Sequence, residues 1–138
     1  MAFWATVGFY GCAATQRVPA DPFFENGYKA LTISVNSYDA AMKSLRDLYN
    51  EGTIPKDTAQ KAWDAGEKFF YGQKLAFTAL RTYKQASGAQ TKVEAINAMN
   101  MAAVDLAGFL KVITPWITAS LTKEVQGGVD ALKKGGTE

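Results

Sequence analysis

The chain has 138 residues, enough for one domain, and its 48% hydrophobic and 20% charged residues are the balance of an ordinary folded globular protein. It contains no histidine and one cysteine, Cys12. That excludes Ser–His and Cys–His nucleophile pairs, imidazole or thiolate metal sites and any internal disulfide. A net charge of +2 is too small to argue for a nucleic-acid partner, and neither a cofactor nor a metal is expected.

Residues 1–20 read as an apolar signal-like segment or an N-terminal arm, closed by a short linker from Gln16 to Ala20. Met1 to Gln16 carries no charged side chain, and these 16 residues fall short of the roughly 20 that a membrane-spanning helix needs. A secretory signal has an apolar core of about 7–15 residues followed by small residues, and Phe3 to Tyr10 followed by Gly11-Cys12-Ala13-Ala14 has that layout. The Gly11-Cys12 pair resembles the lipobox of bacterial lipoproteins. It departs from that pattern in having no basic residue ahead of the apolar core and Phe9 where leucine is usual. The resemblance implies that Cys12 becomes the first mature residue and carries lipid. The other reading is an arm in which Phe3, Trp4, Val7, Phe9 and Tyr10 pack on a neighbour and Cys12 is a small apolar residue.

Residues 21–126 read as a helical bundle. Asp21-Pro22 is a helix start, with a capping residue before a proline suited to the first helical position. Apolar residues then recur at Phe24, Tyr28, Leu31, Val35, Tyr38, Met42, Leu45 and Tyr49 in alternating steps of four and three, a heptad seam. Gly52 stops this helix, predicted over 22–51. Pro55 opens a second helix over 55–87, with Ala59, Ala62, Trp63, Gly66, Phe69, Phe70, Gln73, Ala76, Phe77, Leu80 and Tyr83 as its buried stripe and Gly88 as its end. Thr91 and Glu94 have the spacing of a capping box for a third helix that buries Ile96, Met99, Ala103, Leu106, Leu110, Ile113, Ile117 and Leu121.

Pro115 lies inside that third pattern, where a proline removes a hydrogen bond and either bends or breaks the helix. Folding the hairpins about Gly52 and Ala89 brings the third helix level with the tip near residue 53 if it continues to residue 126. The expected fold is therefore all-α: an antiparallel up-down bundle of three long helices, the third kinked at Pro115, with a flexible tail over 127–138. A four-helix bundle, with a separate helix after Pro115, is the alternative. In the three-helix register Phe70 lies over Gly108, and Met42, Trp63 and Trp116 converge into an aromatic cluster.

That cluster is either packed core or a small ligand pocket. Tyr28, Tyr38, Tyr49 and Gln73 place polar groups in the seams, and Lys61, Lys68, Lys74, Arg81 and Lys84 are interleaved with acids along a solvated face. From Ala95 to Leu121 only Asp105 and Lys111 are charged, and Met101, Val104 and Val112 fall outside the main apolar arc. A helix apolar on more than one side is buried on more than one side, so these three residues are candidate contacts for a partner helix or a second copy. Asp105 near the middle argues against a membrane span. Ile54, in the turn at the far tip, is a further candidate contact. No catalytic constellation is present, and the chain is not expected to be an enzyme.

The apolar start, the Gly11-Cys12 pair, the linker and the hairpin pattern LRDLYNEGTIPKDTAQKAWDAG (residues 45–66) together resemble small helical-bundle lipoproteins of Gram-negative bacteria, some of them prophage-encoded. The likeness is one of layout. It implies lipid anchoring at the periplasmic face of the outer membrane and a non-enzymatic role as a scaffold or protein-binding module. Its partner would be an envelope protein or a copy of itself. The alternatives are a self-assembling subunit of a filament or virion, built on the N-terminal arm and third helix, and a small-ligand binder.

Overall fold

A computed structural model describes residues 22–136. Cys12, the apolar start and the Gln16–Ala20 linker lie outside the described residues. Within them are four helices and no strand: α1 Pro22–Asn50, α2 Lys56–Gln85, α3 Ala89–Ile113 and α4 Ala119–Gly135, with a 3-10 turn at Thr114–Trp116 between the last two. The all-α expectation holds. α2 packs on α3, α3 on α4, α4 on α1 and α1 on α2, so the helices ring a common core. Phe69, Phe109, Leu31, Leu45, Leu80, Met99 and Leu106 fill that core and are fully buried.

Three long helices are not what forms, because Pro115 breaks the third rather than bending it. Its ring sits in the 3-10 turn, Ile117 is extended at φ −109°, ψ 164°, and Thr118 is extended at φ −69°, ψ 158°. Thr118 then starts α4 as its cap, its Oγ1 accepting from the Leu121 N–H at 3.1 Å. The segment from 127 to 135, expected as flexible tail, is the second half of α4 and buries Gly128, Val129, Leu132 and Gly135. The Gly127-Gly128 pair does not end the helix, because Gly128 is held there by packing.

The fourth helix also rotates α1. Leu31, Tyr38 and Leu45 of the heptad seam are buried, but Tyr28 and Tyr49 are exposed. The buried face extends instead through Gly27, Ala30, Ser34, Ser37 and Ala41, small residues that let α4 approach closely. The two serine hydroxyls are satisfied inside their own helix: Ser34 Oγ donates to Leu31 O at 2.8 Å and Ser37 Oγ to Ser34 O at 2.9 Å. A Cβ on Gly128 would stand 2.9 Å from Ser37 Oγ and 3.0 Å from Ser34 Cα.

The turns explain two further differences. Gly52, at φ 80°, lets the Thr53 N–H reach Leu48 O at 2.9 Å and its own N–H reach Tyr49 O at 3.0 Å, the Schellman ending of α1. The chain folds back over the bundle end, and Ile54 is 3% exposed and part of the core, not a surface contact. The expected capping box also fails: α3 starts three residues earlier, with Gly88 rather than Thr91 at the cap position, and Thr91 Oγ1 donates back across the turn to Ala86 O at 2.8 Å. Glu94 instead accepts from Gln90 Nε2 at 3.1 Å.

Candidate interaction surface

α2 and α3 set the register of the surface. A Cβ on Gly72 would lie 3.7 Å from Ala102 Cα and 2.9 Å from Asp105 Oδ2. A Cβ on Gly66 would lie 3.3 Å from Phe109 Cε1. The rings of Tyr38 on α1 and Phe109 on α3 therefore meet over this glycine of α2, in place of the expected Phe70–Gly108 contact. Gly108 has no atom within 4 Å of a would-be Cβ, and Phe70 is exposed on α2. The predicted register was off by about one helical turn.

With Gly72 against Ala102, Leu75 of α2 comes level with the turn of α3 that carries Met101. Leu75, Met101 and Val104 are exposed by 65%, 64% and 67%, the most open large apolar side chains among the described residues, and Tyr71 by 56%. On α3 the exposed positions between Glu94 and Lys111 are Asn97, Asn100, Met101, Val104 and Gly108, all uncharged. The stripe is uncharged and open and has a charged residue at each end. Sequence reasoning found Met101 and Val104 but not Leu75, whose signal was the same: an apolar residue off its helix's buried stripe. Val112, expected on this face, is half-buried and packs against the core.

Asp105 sits at the inner edge of the surface, beside Gly72. Burial raises its carboxyl above the ordinary 3.8, and the positive charge of Lys68 pulls it partly back. Tyr38 lies between the rings of Phe69 and Phe109, with centroids 5.0 and 5.1 Å away. Burial raises its hydroxyl pKa, and the charges of Asp39 and Glu67 add to the effect.

The expected aromatic cluster forms in part. Met42 and Trp63 line one open groove of about 320 Å³ between α1 and α2 with Tyr38, Gln60 and Glu67. Trp63 also meets Tyr49 edge to face, centroids 5.8 Å apart. Trp116 is not part of that groove; it sits in the 3-10 turn, half-buried against the core. Gln73, half-buried, donates from Nε2 to Phe70 O at 3.0 Å in its own helix.

The segment Ala89–Trp116 is long and apolar enough to cross a membrane by length and composition. In the bundle its Ala95, Met99, Ala102, Ala103, Leu106 and Phe109 are covered by the other helices. The chain matches no known family model, no curated protein and no solved structure.

Proposed function

We propose that this chain is a non-enzymatic helical scaffold, lipid-anchored through Cys12 at the periplasmic face of a bacterial outer membrane, which binds protein through the outer face of α2 and α3. The observation that supports binding is the open band of Leu75, Met101 and Val104, the most exposed large aliphatic side chains among the described residues, ahead of Val93 and Ile33. The support for the anchor is the Gly11-Cys12 pair behind an uncharged start. One acyl chain holds a protein to a membrane only marginally, so the anchor requires the several chains that lipoproteins carry.

Two measurements test the two halves. Cys12→Ser should move the protein out of the membrane fraction of its native cell; an unchanged distribution overturns the anchor. A photo-crosslinking residue in place of Val104 should yield a covalent protein adduct in the same cells, and the absence of any adduct overturns the binding face.

A further inference from the structure

We propose that the occupant of this face is a second copy of the chain, with the two α3 helices packed antiparallel about a two-fold axis that passes between Met101 and Val104. The inference rests on the binding face proposed above and names its partner.

The charges choose the arrangement. Glu94 and Lys111 are the exposed charges that bound the uncharged stripe of α3. Glu94 lies as far before the midpoint of Met101 and Val104 as Lys111 lies after it, about 13 Å along the axis at about 1.5 Å per residue. An antiparallel pair centred there sets Glu94 of each copy beside Lys111 of the partner subunit, twice by symmetry. Met101 then meets Val104 of the partner subunit, again twice, as a self-complementary two-fold contact requires. A parallel pair sets Glu94 on Glu94 and Lys111 on Lys111, so like charges oppose it. Gln90 Nε2, donating to Glu94 Oε2, holds the carboxylate on this outer side.

Gly108 fits the same picture. Glycine inside a helix costs about 0.5–1 kcal/mol relative to alanine, and nothing in the bundle approaches closely enough to require it. In the antiparallel pair it faces Asn97 of the partner subunit, where the missing side chain lets the helices come close. A shallow crossing near 20°, usual between bundle helices, keeps the flanking charges within reach of each other.

Sedimentation of the full-length chain, lipid-anchored protein being held in detergent, tests the proposal through charge exchange. The parent should be a dimer. Glu94→Lys and Lys111→Glu should each weaken it by about three- to tenfold, since two symmetric exposed pairs are lost and reversed. The double exchange should restore the parent affinity, which no purely structural damage to either residue can do. Val104→Lys should abolish the dimer while circular dichroism shows the helices intact. A parent that is monomeric at every concentration, or a dimer indifferent to Val104→Lys and to the exchange, overturns the proposal. A monomeric parent whose Val104 crosslinks to a different protein overturns the second copy alone, whereas the absence of any crosslink is the failure of the binding face itself.

Discussion

The contact between α1 and α4 and the outer face of α2 and α3 are built on opposite plans. The first is made of the smallest residues in the chain: Gly27, Ala30, Ser34, Ser37 and Ala41 on α1, Gly128 and Gly135 on α4, all buried. The second presents three large aliphatic side chains to solvent, each about two-thirds open. Small residues carry little hydrophobic area, but they let backbones approach, and the dispersion gained along two close helices is spread over many weak contacts. Such an interface tolerates no added atom. The outer face is the reverse: it contributes little to the stability of one chain and has room for whatever covers it. Across these two surfaces residue size and burial therefore run opposite to what hydrophobicity alone suggests.

The largest expected effect comes from taking atoms out of the core beside that face. Phe109 is fully buried, its ring against Tyr38 and over Gly66. Phe109→Ala should cost about 3–5 kcal/mol in urea unfolding, the transfer of a ring plus the cavity left behind. Val104, on the same helix but open, should change by less than about 0.5 kcal/mol when replaced by alanine, measured at a concentration low enough to keep the chain monomeric. Comparable losses at the two positions would mean that the outer face is part of the monomer's core.

The adjacent glycines of α4 give the next effect in size. Gly128→Ala drives a Cβ to 3.0 Å from the α1 backbone at Ser34 Cα, where no rotamer change can relieve it, and should destabilise by about 1–3 kcal/mol. Gly127 has no atom within 4 Å of a would-be Cβ, so Gly127→Ala should stabilise by about 0.5–1 kcal/mol through helix propensity alone. A pair of thermal melts displaced in opposite directions is the expected result. Two shifts of the same sign would place the α1–α4 contact wrongly.

The sequence made some of this legible and concealed the rest for identifiable reasons. Helix α2, bounded by Pro55 and Gly88, was readable to within two residues at its end. Met101 and Val104 stood out because large apolar residues break an otherwise regular arc. The small-residue face of α1 was hidden because serine counts as polar in any hydrophobic pattern, and only the structure shows Ser34 and Ser37 spending their hydroxyls on their own helix. Helix α4 was concealed for a related cause. A Gly-Gly pair reads as an ending, while its meaning here is close approach at Gly128. Pro115 left two outcomes open, and Thr118 decides between them by capping a new helix. Ile54 looked like an exposed tip because its burial depends on how the Gly52 turn folds back.

The smallest effect concerns Asp105, which stands between the packed side of α3 and its open side. Burial against Gly72 disfavours its charged form more than Lys68 favours it, so its pKa in the folded chain lies above the ordinary 3.8. For an acid shifted upward, folding favours the protonated form. Its contribution to stability is therefore greatest at low pH and is lost as pH rises from the unfolded value through the folded one, beyond which it stays constant. Asp105→Asn keeps the shape and removes the titration. The variant should gain on the parent as pH rises from below 3.8 to neutrality, with the difference in urea midpoint growing over that interval and then levelling. Lys68→Ala should act in the other direction, since without its opposing charge the carboxylate becomes costlier to ionise and the decline steeper. If the asparagine variant loses ground to the parent between those pH values, the attraction of Lys68 outweighs burial, and Asp105 belongs to the solvated side of the helix.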